Sequence, residues 1–304
     1  MKIVKSTVLV FFLFSIYIHR MFSLNRHFKF YFLGFLFAAT FFVWYAVFAR
    51  GDQRLTVAFL NVGQGDAILI STPDDQQILI DGGPDSAVLS GLSRVMPFYD
   101  RSIDVVVATH PDMDHIGGLI DVLERYNVEF VIDPGAKSDT AVYGGLEKTI
   151  AKKGIKKILA RRGMKVVLQN GAYLLILFPD RDVADMDSND ASIVAKLVYG
   201  DTSFLLTGDS PKKIEHYLAS IDPNSLNVDV LKAGHHGSRT SSSEEFIRQA
   251  SPEYAIISAG LNNHYGHPHR EVVTLLEKFG VNTLRTDLLG SIIFKSDGEN
   301  IFVE

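Results

Sequence analysis

Residues 30–49 form a run of 20 positions without a charged side chain, and this run divides the chain into two regions. A helix of that length spans about 30 Å, which matches the hydrocarbon core of a bilayer. Tyr31, Trp44 and Tyr45 lie near its ends, where aromatic side chains favour the membrane interface. The run therefore predicts a transmembrane helix. We expect a membrane anchor over residues 1–50 and a separate globular domain over residues 51–304.

The orientation of this anchor follows from the basic residues around it. Three basic side chains, Arg20, Arg26 and Lys29, precede the span, whereas Arg50 and Arg54 follow it. This small excess favours a cytoplasmic N-terminus, a single pass and an extracytoplasmic globular domain. Residues 7–18 are a second, shorter apolar segment. If they also crossed the membrane, the domain would lie in the cytoplasm. As a separate alternative, cleavage after Ala49 would release the domain from the membrane.

The charge of residues 51–304 restricts the binding partners of the domain. This region holds 24 basic and 35 acidic side chains, a net charge of −11 with His neutral, which excludes tight nonspecific DNA binding by bulk charge. Within it, residues 152–165, here called the basic stretch, contain seven Lys or Arg side chains and no acid. The stretch is either a solvated or lipid-facing surface, or a ridge that holds a nucleic-acid backbone. The absence of Cys excludes a thiol nucleophile and thiolate metal ligands.

Short apolar runs rich in β-branched residues alternate with amphipathic segments in the globular region. Two strand-rich halves flanked by helices favour an α/β fold, a four-layer αββα sandwich. The predicted strands are 55–61, 67–71, 77–80, 103–109, 130–132, 165–168, 173–178, 192–199, 203–207, 228–232, 254–258, 291–295 and 300–303. The predicted helices are 86–96, 118–126, 144–153, 211–220, 243–249 and 271–279.

Side chains that bind metals are concentrated directly after predicted strands. The segment His110-Pro-Asp112-Met-Asp114-His115 follows one strand, Asp209 follows a second, and a pair of histidines at 235–236 follows a third. Four imidazole and carboxylate groups within six residues are costly to pack together unless they bind something. Three strand ends that deliver ligands to the same edge of a sandwich therefore predict a metal site.

These motifs resemble those of the metallo-β-lactamase-fold hydrolase superfamily, and most nearly the hydrolase-like domain of ComEC-type competence proteins. The motifs occur in family order from residue 55 to the C-terminus. The segments that carry the resemblance are 61–66 (NVGQGD), 81–83 (DGG), 109–118 (THPDMDHIGG), 189–192 (NDAS), 206–209 (LTGD), 232–238 (KAGHHGS) and 265–268 (YGHP).

The resemblance implies two divalent metal ions, Zn or Mn, with a ligand set drawn from these motifs. The implied ligands are His110 and Asp112 for one metal, Asp114, His115 and His235 for the other, and Asp209 as a bridge. Many relatives supply a further His before the bridging Asp, but no His occurs here between residues 115 and 216. Asp190 or Asn189 would reach the metal instead, or Asn189 and Ser192 would only shape that loop. An oxygen-rich set makes Mn²⁺ as suitable as Zn²⁺.

The resemblance also implies roles around the metals. Asp81 would orient metal ligands from behind them. The implied catalytic groups are Asp114, His236 and His267, and the implied substrate contacts are Lys232, Arg239, Asn263 and His264.

Taken together, we expect a membrane-anchored metal-dependent hydrolase, a phosphodiesterase or nuclease that acts on DNA in a competence-related role. ComEC-type proteins generally carry a channel of many spans, so DNA uptake would need a separate multi-span channel protein as partner. Two alternatives remain: hydrolysis of another ester, a lactone or a β-lactam, and a non-catalytic module that binds nucleic acid or protein.

Overall fold

The computed structural model describes residues 26–49 and 54–304, which belong to two separate compact units. The first range is a single helix, α1 (Arg26–Ala49). Its segment His27–Tyr45 has a mean hydropathy of 1.5 and is long and apolar enough to cross a membrane by length and composition. The predicted span over residues 30–49 lies in this helix, whereas the shorter segment 7–18 lies outside the described residues.

Fifteen strands are described in residues 54–304, and they match most of the predicted apolar runs. In chain order they are β1 (Leu55–Phe59), β2 (Ile68–Ser71), β3 (Gln77–Ile80), β4 (Ser102–Val107), β5 (Asn127–Asp133), β6 (Lys156–Leu159), β7 (Lys165–Val167), β8 (Tyr173–Phe178), β9 (Val194–Tyr199), β10 (Thr202–Leu206), β11 (Val230–Lys232), β12 (Tyr254–Ile257), β13 (Asn282–Arg285), β14 (Ile292–Ser296) and β15 (Ile301–Val303).

Seven α-helices connect these strands. They are α2 (Ala87–Val95), α3 (Met113–Arg125), α4 (Ala141–Lys153), α5 (Lys212–Ile221), α6 (Glu244–Ala250), α7 (Arg270–Lys278) and the short α8 (Thr286–Leu289). Short 3₁₀ turns include Asn189–Ala191 and Gly234–Gly237.

The strands form two sheets, with the orders β15-β14-β1-β2-β3-β4-β5-β6 and β13-β12-β11-β10-β9-β8-β7. Strands β3 to β6 of the first sheet are parallel, and so are β10 to β13 of the second. The carboxyl ends of parallel strands lie at one edge of a sheet, and ligands of open α/β sheets bind there. Each sheet therefore has one edge suited to a functional site.

The buried apolar side chains form three layers, as the predicted αββα sandwich requires. Between the sheets, Phe294 of the first sheet packs edge-to-face on Phe204 of the second, with ring centroids 5.9 Å apart. The outer face of the first sheet packs on α2, α3 and α4, and the outer face of the second packs on α5, α6 and α7. The predicted fold class is confirmed.

The structure differs from the predicted elements in two places that matter here. Helix α3 begins at Met113 and not at residue 118, because Asp112 is the extended residue that precedes its first turn. Asp114 and His115 therefore lie on the first helical turn. Strands β6 and β13 were not predicted, since their short polar sequences lack a clear alternation.

Candidate metal centre

The metal-binding side chains lie in loops at neighbouring edges of the two sheets. The first sheet contributes the β1–β2 loop and the segments after β3 and β4. The second sheet contributes the segments after β10 and β11. The residues delivered in this way are Asp66, Asp81, His110, Asp112, Asp114, His115, Asp209, His235 and His236.

The carboxylate of Asp209 lies at the centre of this group and is 3% exposed. Its Oδ1 lies 3.3 Å from Nε2 of His115. Its Oδ2 lies 3.5 Å from Nε2 of His236, 3.6 Å from Nε2 of His235 and 4.0 Å from Nε2 of His110. Four imidazoles thus turn the same ring nitrogen toward one carboxylate.

Asp81 orients two of these imidazoles through their Nδ1 atoms, that of His115 directly and that of His110 through the Thr109 hydroxyl. Its Oδ2 lies 2.7 Å from Nδ1 of His115 and accepts a hydrogen bond of 2.7 Å from the Thr109 hydroxyl. Since that hydroxyl donates to Asp81, it accepts from Nδ1 of His110 at 3.0 Å. Both Nδ1 atoms therefore carry a proton, and in the neutral form of each ring, the form that binds a metal, this leaves Nε2 as the electron-pair donor.

The other two imidazoles are fixed by the turn after β11. Nδ1 of His236 donates to the carbonyl oxygen of Ser258 at 3.0 Å, and Nδ1 of His235 lies 3.1 Å from the Thr240 hydroxyl. His235 and His236 have positive φ angles of 50° and 54°, which L-residues rarely adopt. This strained turn brings two successive imidazoles to the same carboxylate, and such strain is typical of functional sites.

Asp112 and Asp114 lie at opposite ends of the cluster. Oδ2 of Asp112 lies 3.6 Å from Nε2 of His110, and its Oδ1 accepts a hydrogen bond from the Ser188 hydroxyl. Oδ2 of Asp114 lies 3.2 Å from Nε2 of His236. Burial acts to raise the pKa of each carboxyl, but hydrogen bonds and the charges of the neighbouring imidazoles outweigh it and lower both pKa values.

Asp66 and Lys232 complete the buried part of the cluster. Asp66, His115, Asp209 and His236 each offer one ligand atom, and these four atoms lie within 4.8 Å of one another. The Lys232 ammonium, which is fully buried, forms an ion pair with Oδ2 of Asp66 and lies 3.8 Å from Oδ1 of Asp209. This placement corrects the expectation of a substrate contact, because the ammonium faces two carboxylates of the cluster and not the surface.

The electrostatics of the cluster show how its buried charges compensate one another without a metal. Burial opposes ionisation of Asp209, but the charges of His236 and His115 hold its pKa well below the ordinary value. Burial likewise opposes protonation of His236, but the charge of Asp209 and the hydrogen bond to Asp114 raise its pKa to about 9. The pKa of His115 is raised in the same way by Asp209 and Asp81.

The donor set fits a divalent metal ion of the Zn or Mn type. It offers imidazole nitrogens and carboxylate oxygens, which both metals accept. Nε2 of His110, Oδ1 of Asp209 and Oδ1 of Asp66 are buried and have no hydrogen-bond partner. Buried polar atoms are rarely left unsatisfied, so these three atoms indicate that the cluster is built for a ligand.

The loop before β9 does not bring Asp190 into the cluster. Its carboxylate pairs with the Lys213 ammonium of α5. Ser192 lies closer to the centre, because its hydroxyl accepts a hydrogen bond of 3.3 Å from the backbone N–H of Asp209. Oδ1 of Asn189 is buried without a partner.

The loop between β12 and α7 places His267 beside the cluster, with its ring centroid 5.6 Å from that of His235. Asn263 supports this loop, since its side chain bonds both the backbone N–H and the carbonyl oxygen of His267. His264 is exposed and packs on the Tyr265 ring. Arg239 is also largely exposed and lies 3.8 Å from Glu271.

Sequence reasoning missed Asp66 as a candidate site residue. The one available signal was its place at the end of the NVGQGD motif, between two strands. It also assigned His236 to catalysis, whereas the structure places this imidazole among the side chains that surround Asp209.

Comparison with known proteins agrees with this fold. The family model described as the metallo-beta-lactamase superfamily matches residues 60–260. The chain belongs to this superfamily. The chain is 31% identical over 262 residues to ComE operon protein 3 of Bacillus subtilis strain 168, and the match covers 79% of this chain and 33% of that protein. It is 31% identical over 254 residues to competence protein ComA of Neisseria gonorrhoeae, covering 83% and 34%.

The predicted resemblance to competence proteins is therefore confirmed, although the chain spans about a third of the length of these curated relatives. Among solved structures, the metallo-beta-lactamase fold protein YhfI of Bacillus subtilis superposes with a TM-score of 0.53 at 15% identity. That match covers 80% of this chain and 100% of YhfI.

Proposed function

We propose that the chain is a metal-dependent hydrolase of phosphodiester bonds that acts on DNA. The observation that carries this proposal is the convergence of four imidazole Nε2 atoms on the carboxylate of Asp209. The superfamily supplies the hydrolytic chemistry, and the names of the relatives supply the link to competence. The choice of DNA as substrate depends on that link.

The ligands divide into two groups around Asp209. His110, Asp112 and His235 would hold one metal ion, while Asp114, His115 and His236 would hold the other. Asp209 would serve both, because its carboxylate lies within 4.0 Å of imidazole nitrogens from both groups. His236 thus joins the proposed ligands together with His235.

A bound divalent ion would lower the pKa of water and offset negative charge that develops on the substrate. The chain itself would contribute the surroundings of the reacting group. Burial, together with the charges of His235 and His236, lowers the pKa of His267 to about 4, so its imidazole is neutral at pH 7. A neutral imidazole offers an N–H donor to a phosphate oxygen without adding charge.

The basic stretch does not carry the proposal for DNA, because most of its charges already have partners. Lys157 pairs with Asp133 at 2.6 Å, and Arg162 pairs with Asp222 at 2.8 Å. Arg161 donates to backbone carbonyl oxygens. These contacts favour the interpretation of the basic stretch as a surface whose charges pair within the domain over its interpretation as a ridge that holds a nucleic-acid backbone.

The test uses the full chain in detergent micelles, with and without the Asp209→Asn substitution. We expect elemental analysis to find bound Mn or Zn, and activity on DNA and on a phosphodiester dye but not on a β-lactam. Asp209→Asn should lower turnover at least 1,000-fold, on the order of 4 kcal/mol of transition-state stabilisation. Asp121→Asn, two turns along α3 from Asp114, is the matched control and should retain activity.

Three results would contradict the proposal. They are unchanged turnover in Asp209→Asn, no bound divalent metal in the active protein, and cleavage of the β-lactam or another ester in preference to DNA. The last result would favour the alternative hydrolase. Metal and DNA binding without turnover would favour the non-catalytic module.

We further propose that α1 anchors the protein in a single pass with the metal centre outside the cytoplasm. DNA uptake would then need a separate multi-span channel protein. Protease treatment of intact cells should digest the domain, and a fully protected domain would overturn this orientation. Uptake reconstituted without any channel partner would contradict the second part.

A further inference from the structure

Lys232 is an unusual residue to find inside the candidate metal centre. It ends β11 and is 0% exposed, and it is the only Lys or Arg side chain that is buried among the described residues. Its ammonium forms an ion pair with Asp66, donates to the carbonyl oxygen of Gly208 at 3.0 Å and lies 3.8 Å from Oδ1 of Asp209. No role in the proposed hydrolysis requires it.

The two carboxylates beside this ammonium present a physical problem. Asp66 and Asp209 are both buried, and their ligand atoms lie within 4.8 Å of each other. Two carboxylates that share a buried site cannot both stay ionised unless a positive charge compensates them. The Lys232 ammonium contacts both of them and supplies part of that charge, beside the His115 and His236 imidazoles that face Asp209.

The same ammonium connects the two sheets at the site. Asp66 belongs to the β1–β2 loop of the first sheet, whereas Lys232 ends a strand of the second and Asp209 follows the neighbouring strand. Lys232 therefore fixes the distance between a loop of one sheet and the central carboxylate of the other.

We propose that Lys232 is a positioning residue that acts as a tethered cation. It holds the Asp66 and Asp209 carboxylates side by side in the metal-free protein, so that the site is assembled before a metal arrives. The inference rests on the proposed metal centre only for its final step, which is that an added divalent ion takes over part of this compensation.

The first experiment measures the melting temperature of the full chain after dialysis against a chelator. Lys232→Met removes the charge at similar length and leaves the buried Asp66 carboxylate without its ion-pair partner. We expect its melting temperature to fall by roughly 10 °C. The double variant Asp66→Asn/Lys232→Met removes both partners of the ion pair and should recover at least half of that loss.

The matched control is Lys196→Met. Lys196 lies on β9 of the same sheet and is partly buried, but its ammonium donates to the carbonyl oxygen of Asn227 and not to the cluster. We expect a fall of at most a few degrees. If Lys196→Met and Lys232→Met lose the same stability, or if the double variant is no more stable than Lys232→Met, the proposal is wrong. If Lys232→Met does not fold, recovery of folding in the double variant supports the proposal, and its absence counts against it.

The second experiment adds saturating MnCl₂ or ZnCl₂ to the same proteins. Since the added ion supplies charge that Lys232→Met lacks, it should raise the melting temperature of this variant by several degrees more than that of the wild type. Equal increments would overturn the tethered-cation role. If neither salt shifts the wild type, the proposed metal-dependent function fails, while the chelator experiment still decides the role of the ion pair.

Discussion

Asp81→Asn is the substitution that most directly tests how the candidate metal centre is organised. The carboxylate is 1% exposed and accepts three hydrogen bonds, from the backbone N–H and hydroxyl of Thr109 and from Nδ1 of His115. An amide of the same shape keeps one acceptor and gains an NH₂ group. Whichever way the amide is oriented, it turns a donor toward a donor.

The amide can avoid this conflict if His115 changes its tautomer. Its proton would move from Nδ1 to Nε2, which faces Asp209 at 3.3 Å, and the nitrogen offered to a metal would be blocked. Substitution of such outer hydrogen-bond partners typically weakens metal binding about 10- to 100-fold. This corresponds to about 1.4 to 2.8 kcal/mol, comparable to one charge-assisted hydrogen bond.

Two measurements check this expectation. Calorimetric titration with Mn²⁺ or Zn²⁺ gives the change in Kd, and long-range proton–nitrogen NMR spectra report which nitrogen of His115 carries the proton. Asp104→Asn is the matched control, since Asp104 accepts a backbone hydrogen bond of 2.6 Å from Gln77 on β3, away from the cluster. The control should lose stability but keep its metal affinity. The reasoning fails if Asp81→Asn binds metal within threefold of the wild type while His115 keeps its proton on Nδ1.

Three further predictions follow from contacts around the site. Because the pKa of His236 is raised from 6.5 to about 9, its protonated imidazole stabilises the metal-free protein fully below pH 6.5, and this stabilisation is lost as the pH rises through 9. Thermal melts in chelator should show this loss, on the order of 3 kcal/mol, and His236→Gln should not show it. Asp190→Asn should change metal affinity less than about twofold by calorimetry, because its carboxylate pairs with Lys213; a tenfold loss would restore it as a ligand. Glu215→Gln should cost about 1 to 3 kcal/mol in urea unfolding, since the buried carboxylate accepts the backbone N–H groups of residues 242–243; no change would mean that water replaces it.

The sequence was sufficient to predict the αββα sandwich, because apolar runs with turn residues between them mark most strands directly. It failed at β6 and β13, whose four residues each are partly exposed and carry no alternation. It also began α3 too late. The predicted helix begins at residue 118, although Asp112 in extended conformation lets the helix start at Met113.

The motifs also predicted which side chains meet at the site. The structure gathers His110, His115, His235 and Asp209 within a few ångströms, although they are separated by up to 125 positions in the sequence. The expectation for Lys232 was wrong for a physical reason. A lysine is ordinarily exposed, and only the packing of two sheets shows that the partner of Lys232 is a carboxylate 166 positions earlier.

What no pattern of residues could provide is the direction of each imidazole. The metal-binding capacity of the cluster depends on which ring nitrogen faces Asp209, and that choice is made by groups outside it: Asp81, the Thr109 and Thr240 hydroxyls and the carbonyl oxygen of Ser258. Two of these are hydroxyls and one is a backbone atom, and these three do not resemble metal ligands in sequence; of the four groups, only Asp81 was predicted, from the DGG motif. Ligands identified by motif thus form a binding site only when hydrogen-bond partners supplied by the fold orient them. For this reason, substitution of the partners that bond the imidazole Nδ1 atoms tests the organisation of the site more sharply than removal of a ligand.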